Sequence, residues 1–257
     1  MTTEISEQRN IRLCLSYDGS RFLGWQKQNT LATGKGRTVQ EEIERALKKM
    51  HGQDIQLIGS GRTDSGVHAA GQIANFYTTI QSIPAKSFVP ALNSILSKDI
   101  RVLDSVEVSS SFHSRFDARS RTYRYFLYCG NSPFAHQMPY MWHIGRWPDI
   151  QKLNNMASFL MGEIDCSAFT ATGDQSKSRM RYLYGAHFFY EGEYLIFEIT
   201  ANAFLWKMVR SIIGTLIDLE RRGRSIDEFK LILESKERKR AGPTAPGDGL
   251  FLWSVRY

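Results

Sequence analysis

The 257-residue chain contains only three cysteines, Cys14, Cys129 and Cys166, widely spaced and without a Cys-x-x-Cys pair. So odd and scattered a trio suits neither a disulfide framework nor a thiolate zinc site; it reads as small buried hydrophobes. No stretch approaches the roughly 18 apolar residues in a row that mark a membrane span. The opening Met1-Thr2-Thr3-Glu4 lacks the basic and apolar regions of a secretory signal, so the expected location is the cytoplasm. The Gly-Lys-Ser/Thr ending of a phosphate loop and the Gly-x-Gly-x-x-Gly spacing of a dinucleotide site are both missing, which argues against nucleotide binding. His51 and His68 have no partner four residues away and no accompanying cluster of acids, so no metal site is expected.

What is present is an excess of positive charge, a formal +7. Such a balance admits a polyanionic partner, but the placement of the charges says more than their sum. Arg115, Arg119, Arg121 and Arg124 have only Asp117 near them, with Phe112, Phe116, Tyr123 and Tyr125 interleaved. That mixture suits phosphate contact beside base stacking, or a solvated strand face with core aromatics.

Periodicity supplies the elements. Ile11, Leu13, Leu15 and Tyr17 alternate with polar residues as a half-buried strand does, and Asp18-Gly19 follows as a turn. Thr38 and Glu41 form a capping box ahead of a helix whose face is Val39, Ile43, Ala46, Leu47 and Met50. Polar residues 29–37 read as an exposed loop. Strands are expected at Ile55–Ile58, Gln72–Tyr77 and Ile100–Val108, with a helix through Phe88, Leu92 and Leu96. The second half repeats the theme. A strand at Thr122–Cys129 precedes a helix from Asp149 through Leu153 and Leu160, then strands between Cys166 and Thr200. A long helix from Phe204 to Arg222 stops at Gly223, and a second capping box, Ser225 with Glu228, opens a short helix through Phe229, Ile232 and Leu233. The basic run Lys236–Arg240 reads as solvated, and Leu250–Val255 as the closing strand.

This order implies an α+β chain of two ferredoxin-like, split βαβ halves, residues 1–112 and 113–257. The expected arrangement joins them into one mixed, mostly antiparallel sheet, with helices on one face and a central cleft between the halves where a large ligand would lie.

Chemistry concentrates in Gly59-Ser60-Gly61-Arg62-Thr63-Asp64-Ser65-Gly66-Val67-His68, between two strands, where glycines let backbone approach a ligand. Arg62 and Asp64, two apart, point the same way if the chain is extended, so Arg62 can orient and stabilise the Asp64 carboxylate or form a structural ion pair in a turn. His68 reads as a structural hydrogen-bonder. Lys207, Arg210, Gly214 and Asp218 share a stripe of the long helix, so Arg210 either pairs with Asp218 or reaches inward to another anion. Tyr123 reads as a core residue of its strand. The segment from Ala241 to Gly249 is a rigid loop that places Leu250 at the mouth of the last strand.

In combination these blocks resemble the TruA family of tRNA pseudouridine synthases over nearly the whole chain. The matching residues are Tyr17-Asp18-Gly19-Ser20 with Gly24-Trp25-Gln26; Gly61-Arg62-Thr63-Asp64 with Gly66-Val67-His68; Phe112-His113 with Arg115-Phe116; and Tyr123-Arg124-Tyr125. Two C-terminal blocks add Ala201-Asn202-Ala203-Phe204-Leu205 with Met208-Val209-Arg210 and Ile213-Gly214, and Pro243-Thr244-Ala245-Pro246 with Gly249-Leu250. The resemblance implies isomerisation of uridine to pseudouridine at positions 38 to 40 of the tRNA anticodon stem-loop by a homodimer, without cofactor, metal or membrane. It makes Asp64 the catalytic carboxylate, places Arg62 and Arg210 around it, and puts Tyr123 and Leu250 against the target base. Basic residues such as Arg115 and Lys207, with His68 nearby, would then serve RNA binding. Ser65 stands where alanine is usual, Trp206-Lys207 replace the commoner aromatic or histidine pair, and Leu31–Arg37 lengthens one loop.

Overall fold

The structure is a computed structural model and describes residues 8–27 and 36–257; most of the Leu31–Arg37 loop lies outside them. The chain is mixed α+β and divides into two compact units, Met1–Arg119 with Leu252–Tyr257, and Ser120–Phe251. Among the described residues no helix is long and apolar enough to cross a membrane.

The first unit begins with β1 (Arg9–Tyr17), whose Ile11, Leu13 and Leu15 are fully buried while Arg12, Cys14 and Ser16 are not. Helix α1 (Val39–His51) starts where Thr38 Oγ1 accepts the Glu41 N–H and ends at left-handed Gly52. After it come β2 (Ile58–Gly59), β3 (His68–Thr78), α2 (Phe88–Ile95) and β4 (Ile100–Val108). The strands run antiparallel in the order β4-β1-β3-β2, with Leu13 opposite Ala74 and Ser105. Strand β2 is shorter than its apolar run suggests, because α1 takes the backbone of Leu57. Glu44 accepts its N–H at 3.2 Å and Gln40 donates to its carbonyl at 3.0 Å, leaving nothing for a strand neighbour.

A buried amide pair fixes the end of this unit. Asn75 Nδ2 donates to Asn10 Oδ1 at 2.9 Å, and Asn10 Nδ2 donates to the carbonyls of Ser109 and Phe112. The Ser114 N–H donates to Asn75 Oδ1, and the Tyr257 hydroxyl to the Ser114 carbonyl at 2.7 Å. Buried polar groups held this fully specify one register, so the turn carrying Arg115 and Phe116 is rigidly placed.

The second unit contains β5 (Ser120–Tyr128), β6 (Trp142–His143), α3 (Ile150–Ala157), β7 (Gly162–Asp165), β8 (Met180–Glu191) and β9 (Tyr194–Ala201). Helices α4 (Met208–Arg221) and α5 (Ile226–Ser235) follow, and β10 (Leu250–Arg256) leads back into the first unit. Its sheet order is β5-β9-β8-β7, antiparallel throughout, with β6 parallel to β5. Tyr125, Leu127, Phe197 and Ile199 of the sheet are fully buried, as are Ile212, Ile213 and Leu216 of α4 and Phe229 of α5. Each large apolar side chain so removed from water contributes roughly 1.5–3 kcal/mol.

One expected helix start and one expected cap differ. Helix α4 opens at Met208 rather than Phe204, because the backbone of Trp206 is already engaged with residues 171–174 and Lys207 adopts a left-handed conformation. Ser225 does stand at the N-terminus of α5, but its hydroxyl makes no capping bond; the Glu228 N–H donates instead to the Ser225 carbonyl.

Candidate active site

The segment Gly59–His68 is not a free loop. Residues Tyr17–Gln26, the first block singled out in the sequence, grip it along its length. Thr63 is turned inward, with Oγ1 2.8 Å from the Tyr17 hydroxyl and its carbonyl accepting from Trp25 N–H at 3.1 Å. Burial pushes the Tyr17 phenol well above its ordinary pKa, with hydrogen bonds from Thr63 and Gln72 opposing, so Tyr17 serves as a neutral hydroxyl. Ser65 Oγ donates to the Phe22 carbonyl at 3.2 Å, and the Val67 N–H donates to the Asp64 carbonyl in a tight turn. From the far side Gln72 accepts from Ser60 Oγ and donates to the Gly61 carbonyl.

Two glycines make this grip possible. Gly24 has φ +101°, and a Cβ there would stand 2.5 Å from the Thr63 carbonyl oxygen; a Cβ on Gly19 would stand 2.1 Å from that of Val67. Only glycine permits backbones so close. His68 is fully buried, and its Nδ1 accepts the Gly19 N–H at 2.9 Å, so its ring ties the loop's end to the same block.

Half-buried Asp64 is thereby held by main-chain bonds on both sides, with exposed Arg62 two residues before it and buried Thr63 between them. The Arg62 guanidinium donates to Gln26 Oε1 at 3.0 Å, and Gln26 in turn donates to Gln40 of α1. The Arg62–Asp64 ion pair that spacing allowed is not among the contacts of Arg62; its Nε bonds an amide of the gripping block instead. Arg115, also of the first unit, lies on the turn before Arg119 beside Phe116, which is 76% exposed and stacks on His113 at 4.3 Å. His113 Nδ1 accepts the N–H groups of Arg115 and Phe116, which stiffens the turn.

The second unit places Tyr123, Arg210, Leu250 and Lys207. Tyr123 sits on β5 opposite Ile199 and meets Phe204 edge-on at 5.0 Å. Arg210 Nε donates to the Ala245 carbonyl at 2.8 Å, and the Ala245 N–H returns a bond to the Arg210 carbonyl. Asp218 is instead engaged by Arg221 and Arg222, so the surface pairing of Arg210 with Asp218 is set aside. The loop from 241 to 249 is locked on α4 and β5: Gly242 N–H donates to Thr215 Oγ1 of α4, and the Tyr125 hydroxyl of β5 to the Pro246 carbonyl. Leu250 is buried at its end. Of the basic–aromatic stretch, Arg124 pairs with Glu198 at 2.6 Å, Arg121 donates to the Asn202 carbonyl, and Tyr125 is core, leaving the 115–119 part exposed.

Residues 13–117 and 156–257 match the tRNA pseudouridine synthase family, covering both the gripped Asp64 loop and the Arg210 helix. The chain belongs to that family. This synthase is 61% identical over 255 residues to tRNA pseudouridine synthase A of Treponema denticola, covering 99% of this chain and 95% of that one. It is 52% identical to the Treponema pallidum protein of that name (93% and 85% covered) and 41% identical to that of Acetivibrio thermocellus (97% and 100% covered). It is an isomerase acting on tRNA.

Several residues that shape the synthase site escaped the sequence reading. Arg238, taken as part of a solvated basic run, donates to the carbonyls of Ala241 and Gly242 and to Thr244 Oγ1, and so anchors the loop before Leu250. Gln72 holds Ser60 and Gly61, and Asp174 holds the backbone of Trp206, through side-chain bonds that leave no periodic signal.

Proposed function

We propose that this synthase converts uridine to pseudouridine at positions 38, 39 and 40 of the tRNA anticodon stem-loop, with Asp64 as the reacting carboxylate. The observation that carries the reading is the grip on residues 59–68. A chain that spends two glycines, a buried tyrosine and a buried histidine on one loop holds its single acid in a defined place.

The reaction cuts the bond from ribose C1′ to uracil N1 and rejoins the ring through C5. The C5 proton leaves, N1 gains one, and no electrons are exchanged. It therefore requires neither a redox cofactor nor external energy. Asp64 either attacks C1′ as a nucleophile or takes the C2′ proton to give a glycal; both routes need an ionised carboxylate shielded from water. A uridine stacked in a stem hides C1′, so the nucleotide is everted first, at a cost of a few kcal/mol. Arg62 and Arg210 supply positive charge to this step, Tyr123 and Leu250 contact the target base, and Arg115 and Lys207 hold RNA. His68 serves by keeping the loop in place.

The enzyme is proposed to act as a cytoplasmic homodimer. Its two halves, residues 1–112 and 113–257, are read as tandem ferredoxin-like units, a reading supported by the order β4-β1-β3-β2 in the first. Sequencing for pseudouridine along whole tRNA after reaction tests the assignment. Modification confined to positions 38 to 40 is expected; modification elsewhere in the molecule overturns the regional claim.

A further inference from the structure

Trp206 is 44% exposed, yet it does not lie on loose chain. Its N–H donates to Asp174 Oδ2 at 2.6 Å, and its carbonyl accepts from the Ala171 N–H at 3.0 Å. The next residue, Lys207, has φ 59°, a conformation a residue with a side chain adopts where its surroundings impose it. Gly173, itself at φ +91°, lies beside the indole: a Cβ there would meet the ring at an ordinary contact distance of 3.7 Å. Lys207 Nζ lies 5.0 Å from the ring centroid.

Asp174 is the clamp beneath this turn. Besides Trp206, its carboxylate accepts the Ser176 N–H at 2.8 Å and is ion-paired with Arg179. Burial pushes its carboxyl up, but these bonds outweigh that and hold it down at about 2. Asp174 is therefore an anion at neutral pH, in the form that accepts these bonds.

A flat indole fixed through its backbone, with an ammonium at its face, matches what single-stranded RNA presents: a base to stack and a phosphate to neutralise. The turn also lies at the working end of α4. Phe204, two residues earlier, touches Tyr123, and Arg210 is three residues beyond Lys207. Resting on the tRNA reading above, we propose that Trp206 stacks on a nucleobase of the substrate RNA with Lys207 on a neighbouring phosphate, and that Asp174 is the positioning residue for this platform.

The test uses the full-length enzyme and a tRNA transcript, with Trp206→Ala, Trp206→Phe and Asp174→Asn. Loss of one stacked base predicts a KM for tRNA raised roughly 5- to 150-fold in Trp206→Ala with kcat within about twofold. Trp206→Phe restores most of the loss, and Asp174→Asn raises KM in the same direction. Added tRNA quenches the fluorescence of the wild type more than that of Trp206→Phe. A wild-type KM in Trp206→Ala, or an effect confined to subunit assembly, overturns the proposal. A wild type that forms no pseudouridine while tRNA still quenches Trp206 refutes the catalytic reading and leaves the platform standing.

Discussion

Tyr17 and Asp174 show how a single side chain can hold the backbone beside a candidate functional residue. Tyr17 is buried at the end of β1 and its hydroxyl meets Thr63 Oγ1 beside Asp64. Tyr17→Phe keeps the ring and removes the buried hydrogen bonds of its hydroxyl to Thr63 and Gln72, leaving both short of a partner. The expected cost is about 1–2 kcal/mol, or a few degrees of Tm, with a fall in kcat larger than any change in tRNA binding. Asp174 makes a pH prediction. Its folded pKa of about 2 lies below the 3.8 of an unperturbed aspartate, so its contribution to stability is full above about pH 4 and fades as pH falls through about 2. Thermal melts across that window should show a shallower acid loss in Asp174→Asn than in the wild type.

At the scale of elements, the close approach of Tyr17–Gln26 to Gly59–His68 is the feature most exposed to mutation. Gly24→Ala puts a methyl 2.5 Å from the Thr63 oxygen at a φ of +101°, so the loop must shift. The expected result is a loss of about 1–3 kcal/mol in stability and a drop in turnover well beyond what that loss explains, measured by melting and by initial rates. The elements themselves were largely legible in the sequence. The alternation in β1, the Thr38 cap of α1 and the Gly223 stop after α4 each reflect a local rule, and the structure follows them. The misses share a cause. Leu57 left its strand for α1 side chains, Trp206 left α4 for Asp174, and the Ser225 hydroxyl left its cap unmade. In the first two, a partner distant in sequence outbid the local preference, and no window of neighbouring residues reveals such a partner. The candidate site was legible where it is written in contiguous motifs, as in Gly61–His68. What was not legible is the scaffold behind it: Gln26 receiving Arg62, Ala245 receiving Arg210, Arg238 anchoring the last loop.

For the whole molecule, the excess of seven positive charges makes tRNA affinity a matter of phosphate contacts and counterion release. Binding should weaken as salt rises, with a log–log slope of about −0.7 to −0.9 per phosphate contact. Arg115, exposed on its stiff turn, is one such contact in the proposed reading. Arg115→Ala is expected to flatten that slope by about one unit while leaving the fold intact, and an unchanged slope would remove it from the interface. The same two-unit chain must also perform chemistry, and there the account reduces to one carboxylate. The direct measurement is tritium release from tRNA labelled at uridine C5, comparing wild type with Asp64→Asn at equal tRNA occupancy. The account predicts label released by the wild type, and by the variant a rate lower by a factor of about 100 to 10,000 with tRNA still bound and the fold unchanged. Release by Asp64→Asn near the wild-type rate would contradict it.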